Sequence, residues 1–343
     1  AQDRFALNLQ NLNLVKDIFS QPKKNIDLIE NHNQLKKISS TQKETHTNLG
    51  KIKHLSDKFK ITSHYNLFFY LSDGSIPLLF AKKNILHCQV PFTNKFKFKS
   101  QITNKFKLLL TKKIICNSIF TQKQFEKTYH HSSSLLYPPV DVDKFSSSPQ
   151  KENIILSVGR FDNILNSKRQ DILIRAFKRL YQNQNNRNWK LILIGGSLEQ
   201  PETNNYLKHL KHEAKDFPVE FLTGPNLNTL KNIFSKSKIY WHAAGFEVNE
   251  NINPQNTEHF GITVVEAMAS GVVPVVVKKG GLPESVKSDI NGFLWENINE
   301  LISKTQLLIG SSQLMQKLSF QAKTDSTQFS KQNFEKKLLE IIK

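Results

Sequence analysis

The apolar residues of this 343-residue chain fall in short blocks, and the spacing between them changes along its length. Beyond residue 150, blocks that are apolar throughout alternate with segments of helical period. Residues 154–158, 191–194, 219–222, 239–242 and 273–277 are short runs rich in Ile, Leu and Val, the length of strands. Between them, residues 168–180 carry Ile172, Ile174, Ala176, Phe177 and Leu180 mostly on one helical face. Further helices are expected at 204–215, 227–234 and 262–269, the last stopped by Gly271. The polar stretch 245–258 reads as a long loop. Strands apolar along their whole length and separated by helices predict a parallel sheet buried on both faces. This is the pattern of a Rossmann-like domain.

The amino half is less regular. Residues 61–70 suit either helix or strand, 84–86 and 113–116 read as strands, and 118–129 as a helix capped by Asn117 or Ser118. We read it as a second α/β domain. Glycine separates the halves, since only Gly50 and Gly74 precede residue 159 and eleven glycines follow. Tyr137-Pro138-Pro139 and the run Phe145-Ser146-Ser147-Ser148-Pro149 supply an extended, linker-like stretch. The expected domains are 1–148 and 149–330, with 331–343 a C-terminal helix packing back on the amino domain.

Composition narrows the class. No apolar run reaches the ~18–20 residues that cross a bilayer. Two cysteines without paired spacing, Cys88 and Cys116, exclude a disulfide scaffold or a four-cysteine zinc site and suit a reducing compartment. The formal net charge is +19. Residues 1–150 hold 23 Lys and Arg against 10 Asp and Glu, which points to an anionic partner or to a solvated basic surface. Between Asp73 and Glu126 there are ten lysines and no acid, and Phe98, Ile102, Phe106 and Leu109 recur there at helical spacing, with Lys95, Lys97, Lys99, Lys105 and Lys107 around them. That helix either lies on anionic lipid or packs on its own domain with the lysines in water. Of the six arginines, five fall between Arg160 and Arg187.

Ligands of such sheets bind at the carboxyl ends of strands, beside helix N-termini. The glycine-marked ends Gly159, Gly195-Gly196, Gly224, Gly245 and Gly280-Gly281 all qualify. None carries the three-glycine dinucleotide fingerprint or a Gly-Lys-Ser/Thr phosphate loop, which argues against a dehydrogenase or a standard NTPase. The most informative segment runs from Glu258 to Gly271. It holds two glutamates separated by seven residues, with Gly261 at the helix mouth and Glu266 on an otherwise apolar helix. A buried carboxylate needs donors, and sugar hydroxyls could supply them.

Several motifs follow one another in order: Tyr137-Pro138-Pro139-Val140-Asp141, Ser157-Val158-Gly159-Arg160-Phe161, Lys168-Arg169-Gln170-Asp171, Gly195-Gly196, the Glu-x7-Glu segment and Gly280-Gly281-Leu282-Pro283-Glu284. With these in order, the chain resembles the retaining glycosyltransferases of family 4, which have the GT-B fold: two Rossmann-like domains facing across a cleft. Leu86-His87-Cys88-Gln89-Val90-Pro91-Phe92 is similar to the family's His-bearing loop. The resemblance implies that Glu266 binds the ribose of a nucleotide-sugar and Glu258 the donor sugar. It implies that backbone amides near Gly261, Ile262 and Thr263 hold the diphosphate. Arg160 and Lys168 would neutralise the leaving diphosphate, with Arg169 the alternative to Lys168 that spacing does not exclude. Gly159, Gly195 and Gly224 would line the donor site. His87 would lie near the transferred sugar, with His242 and His259 lining the site. Asp141-Val142-Asp143 lies in the linker, and no metal or other cofactor is expected.

The implied activity is retaining transfer of a hexose, of mannose or glucose type, in cell-envelope glycan synthesis. Donor and acceptor would be a nucleoside diphosphate sugar and a glycan or polyprenyl- or lipid-linked acceptor. The expected location is the cytoplasm, peripheral on the inner face of the membrane, and nucleic acid is not an expected partner. The alternatives are a nucleotide-sugar-binding protein without transfer activity, epimerase-like or an inactive fragment, and a basic membrane- or nucleic-acid-binding protein. With no glycine before Gly50, the amino domain is expected to lack the family's first strand and glycine-rich loop.

Overall fold

The computed structural model describes residues 55–92, 98–163, 166–196 and 201–342. The expected absence of a first strand and glycine-rich loop concerns residues outside that range, as do Lys95 and Lys97. The described residues form two compact units. One runs up to Pro139 and takes in the C-terminal residues from Lys331, and the other is Val140–Ser330.

In the first unit, α1 (Leu55–Thr62) is followed by β1 (Leu67–Ser72), β2 (Lys83–Cys88), α2 (Phe98–Leu109), β3 (Lys113–Cys116), α3 (Ile119–Tyr129) and the short β4 (Ser134–Leu135). The four strands form one parallel sheet in the order β1-β2-β3-β4. The ambiguous run 61–70 therefore spans a helix end and a strand start. Ser118 caps α3 by accepting from the Thr121 N–H at 3.0 Å, and His130 ends that helix in the left-handed region. Phe92 packs edge to face on both Phe125 and Tyr129, and those two rings lie tilted to each other, with all three centroids 5.2–5.4 Å apart.

The second unit contains β5 (Ile154–Val158), α4 (Gln170–Tyr181), β6 (Lys190–Gly195), α5 (Pro201–Glu213), β7 (Val219–Thr223), α6 (Leu227–Lys236) and β8 (Ile239–His242). It continues with α7 (Ile262–Ala269), β9 (Val273–Val277), α8 (Leu282–Ser285), β10 (Phe293–Trp295), α9 (Ile298–Gly310) and α10 (Ser312–Ser326). The last helix, α11 (Lys331–Ile342), belongs to the first unit. The six strands are parallel, in the order β10-β9-β8-β5-β6-β7. Every residue of β5, β8 and β9 is buried, as predominantly apolar strands covered on both faces require.

That order fixes where a ligand can sit. From β5 the chain winds outward through β6 to β7, then returns to the other side of β5 for β8 and winds outward again to β10. The crevice between the carboxyl ends of β5 and β8 is the switch point, where the connecting loops part to opposite faces. The loop after β5 leads to Lys168, and the loop after β8 leads to Glu258 and α7. An isolated eight-residue helix such as α7 is not stable in water. Here seven of its side chains are buried, Glu266 among them, so packing holds it.

Candidate functional site

Lys168 and Glu258 meet at the switch point. The Lys168 Nζ donates to Glu258 Oε2 at 2.7 Å, and the two side chains are 15% and 12% exposed. His242, the last residue of β8, lies 3.0 Å from the same oxygen through Nε2. Its Nδ1 accepts from the Ala244 N–H at 3.2 Å, so the ring's proton sits on Nε2 and points at the carboxylate. Both donors converge on Oε2, and Oε1 has no hydrogen-bond partner among the described residues. One oxygen is anchored and the other remains able to accept. Burial opposes the charged carboxylate, yet Lys168 and the bond from His242 outweigh it and hold Glu258 well below the usual carboxylate range.

Local backbone makes this cluster reachable. Gly159 follows β5 because a side chain there would strike the Lys168 stem, its Cβ falling 2.7 Å from Lys168 Cγ. On the other side, the Gly281 N–H donates to the Glu258 carbonyl at 2.8 Å, tying the loop before α8 to the glutamate. The Glu250 carboxylate accepts from the Gly280 N–H in the same turn. The connection from β8 to α7, which holds a 3-10 turn at Pro254–Asn256, is thus pinned at more than one point.

Gly261 enters α7 at φ +95°, a conformation that disfavours a side chain. The amides of Ile262 and Thr263 follow in the first turn, where backbone donors have no intrahelical acceptor. The Thr263 hydroxyl sits 2.8 Å from the Tyr240 hydroxyl, which also reaches the Val158 carbonyl at 3.3 Å. This ties the mouth of α7 to the ends of β5 and β8. Burial pushes the Tyr240 phenol upward, and the charges of Glu258 and Glu266 add to it, so both carboxylates act on one ring. Glu266 itself is 5% exposed.

The two neighbouring cations take different partners. Lys168 faces Glu258, whereas Arg169 bonds Asp171 at 3.1 Å, Glu247 at 3.2 Å and the Phe246 carbonyl at 3.1 Å. Arg169 and Glu247 both hold positive φ, so an ion pair joins two strained turns, one before α4 and one after β8. Arg160 is exposed after β5, with its carbonyl accepting from Gln170 Nε2 at 2.9 Å. Gly195 ends β6 beside β5, and the Gly159 N–H donates to the neighbouring Ile194 carbonyl at 2.8 Å. Gly224 follows the edge strand β7, two strands from β5 in the sheet order, and does not join the cluster. His259 lies near the chain of Glu258 but turns its Nε2 to the Gln255 carbonyl at 3.2 Å.

His87 belongs to the other unit. Sequence reading placed it at the head of a loop, but it is a fully buried residue of β2, stacked on Phe69 with centroids 5.8 Å apart. Burial pushes its pKa down to about 4. The apolar strand simply continues through the histidine to Cys88. In the expected linker, Asp141 pairs with Lys144 at 2.9 Å.

His242 is the partner of Glu258 that sequence reading rated only as lining. Its signal was its place as the last residue of a strand, but its contact depends on β8 lying beside β5.

Residues 141–325 match the family model described as glycosyl transferases group 1. The chain is 26% identical over 232 residues to the GDP-Man:Man(3)GlcNAc(2)-PP-Dol alpha-1,2-mannosyltransferase of Dictyostelium discoideum, covering 64% of this chain and 44% of that one. It is 28% identical over 225 residues to the alpha-1,3/1,6-mannosyltransferase ALG2 of Saccharomyces cerevisiae, covering 56% and 43%. The chain thus spans less than half the length of these curated relatives. Among solved structures, a glycosyltransferase from Rickettsia africae ESF-5 superposes with TM-score 0.67 at 18% identity, covering 95% of this chain and 86% of that one. Anabaena Alr3699/HepE in complex with UDP and glucose gives 0.65 at 18% identity, covering 88% and 84%. These likenesses carry the GT-B fold. With more than half its length matched by the family model, the chain belongs to the group 1 glycosyl transferases.

Proposed function

We propose that this chain transfers a hexose, of mannose type in the first instance, from a nucleoside diphosphate sugar to a lipid-linked glycan acceptor with retention of configuration. The observation that carries the reading is the convergence of Lys168 and His242 on Glu258 at the β5/β8 switch point. The chemistry of the curated relatives, whose names specify GDP-mannose and a dolichol-linked glycan, supports the donor and acceptor classes. The Glu-x7-Glu segment then acts as in family 4. Glu258 uses its second oxygen on hydroxyls of the donor sugar, and Glu266 takes the ribose. The first-turn amides of α7 receive the diphosphate at the positive end of the helix.

As the glycosidic C–O bond breaks, negative charge develops on the leaving diphosphate. Lys168 and Arg160 are the cations proposed to neutralise it, so no metal is required. The acceptor hydroxyl attacks from the same face, and its proton passes to a diphosphate oxygen. His242 keeps Glu258 oriented, and His87, enclosed in β2, has no step in this scheme. No helix among the described residues is long and apolar enough to cross a membrane. A lipid-linked acceptor is proposed to be met at a membrane surface, the cytoplasmic face of an envelope-type membrane.

The test is a screen of UDP-, GDP- and ADP-sugars with mass analysis of the products on a lipid-linked glycan acceptor. Hexose addition from one donor, lost in Glu266→Ala, is the expected result. Donor binding without any product would favour a protein that binds nucleotide-sugars and does not transfer them.

A further inference from the structure

The outward face of α2 is built the wrong way round for a helix packed on its own domain. Ile102, Phe106 and Leu109 recur at the i, i+4 and i+7 positions of one stripe, Leu110 follows just past the helix end, and all four are exposed, at 55%, 62%, 76% and 45%. The side turned inward carries Leu108, which is buried, and Asn104, whose Nδ2 donates to the Tyr129 hydroxyl at 3.2 Å. Polar contacts thus lie under the helix and large apolar side chains lie on top. The neighbouring α1 repeats the arrangement. Thr62 is buried and its hydroxyl accepts from the Phe80 N–H at 3.0 Å, while Leu55 and Phe59 are exposed. Burial, with the charge of Lys58 on α1, lowers the pKa of Lys107 on α2.

We infer that the exposed stripe of α2, together with Leu55 and Phe59 of α1, is a docking surface for an anionic lipid bilayer. Charge selects this occupant. Lys58, Lys60 and Lys105 flank the apolar residues, with Asp57 the acid on α1, and the sequence from residue 74 to 125 contains no acid at all. The core of a protein–protein interface is depleted in lysine. A bilayer interface instead takes Phe and Leu into the acyl boundary and sets lysines against the headgroups. The inference stands apart from the donor-site proposal, because it needs no catalysis.

The test is flotation of the full chain with phosphatidylcholine vesicles and with vesicles of phosphatidylcholine and phosphatidylglycerol. Binding to the anionic vesicles, weakened by salt and absent on the neutral ones, is expected. Phe106→Ser with Leu109→Ser should weaken it about a hundredfold, from the apolar area withheld from the bilayer. Lys60→Gln with Lys105→Gln should weaken it about thirtyfold. All four side chains are exposed, so the melting temperature reports whether each variant is folded. Absence of binding to anionic vesicles, or equal binding by the double serine variant, would overturn the inference. So would a concentration-dependent dimer in light scattering that the serine variant abolishes, since the stripe would then pair two copies of this chain.

Discussion

Lys168 Nζ lies 2.7 Å from Glu258 Oε2 although ninety positions separate the two residues. The pair joins the loops that leave β5 and β8, the neighbouring strands at which the sheet changes direction. Removing one partner of a buried ion pair leaves the other charge uncompensated. Lys168→Met should therefore destabilise the chain by about 3 kcal/mol. Glu258→Gln, which still accepts from His242, should cost less, and the two changes together should cost less than their sum. Urea unfolding of the three variants measures the coupling, and strict additivity would show that the pair contributes nothing.

The depressed pKa of Glu258 fixes a sign for acid unfolding. The native carboxylate holds its proton less tightly than the unfolded one, so below the ordinary value of 4.5 the unfolded chain binds more protons. Stability from this residue is complete above that value and is lost as pH falls through the native pKa. Urea midpoints taken from about pH 5 to pH 3 should fall less steeply in Glu258→Gln than in the unaltered chain.

His87 makes a second acid-sensitive contribution in a different window. Its pKa of about 4 lies below the ordinary 6.5, so stability is present above pH 6.5 and is lost as pH falls toward 4. The full loss is about 3 kcal/mol on that shift. An NMR titration should find the imidazole neutral throughout the range in which an exposed histidine protonates. A transition near 6.5 would contradict the buried placement.

Lys151 acts at the opposite end of the pH scale. Its Nζ donates to the carbonyls of Ser235, Ser237 and Ser270 at 3.2, 2.8 and 3.0 Å, closing the ends of α6 and α7. Burial, assisted by the charge of Lys323, lowers its pKa to about 8 from 10.5. The unfolded chain therefore binds more protons between those values, and stability from this group rises as pH increases through them. Lys151→Met leaves three carbonyls without this donor and should cost about 1–3 kcal/mol at neutral pH, read as a lower melting temperature.

Much of the second unit was legible because its strands announce themselves. The runs at 154–158, 239–242 and 273–277 are β5, β8 and β9 to the residue, since a short block dominated by β-branched, aromatic and other apolar residues suits a strand buried on both faces. β10 was missed because three residues flanked by polar ones carry no period. Glu258 and Glu266 were legible as a spaced pair beside a glycine, and Lys168 as one of two adjacent cations. That Lys168 and not Arg169 meets Glu258, and that His242 joins them, was not. Both depend on β5 lying beside β8, which is a property of strand order and not of spacing. His87 misled for a related reason, because a polar residue at the end of an apolar run looks like the start of a loop until the neighbouring strands enclose it.

Gly159 should also prove sensitive. The Cβ of Gly159→Ala falls on the Lys168 stem, so the ammonium must leave Glu258 or the turn must shift. Overpacking of this kind costs about 1–3 kcal/mol. The Kd for the donor nucleotide should rise in this variant, and titration calorimetry measures it.

The central claim is that the carboxylate held by Lys168 and His242 works on the donor sugar. The most direct measurement is the rate of hexose transfer by Glu258→Gln, taken beside its melting temperature. The account predicts a rate about 10²–10³-fold lower in a chain that remains folded. A folded Glu258→Gln chain that transfers hexose at the unaltered rate would contradict it.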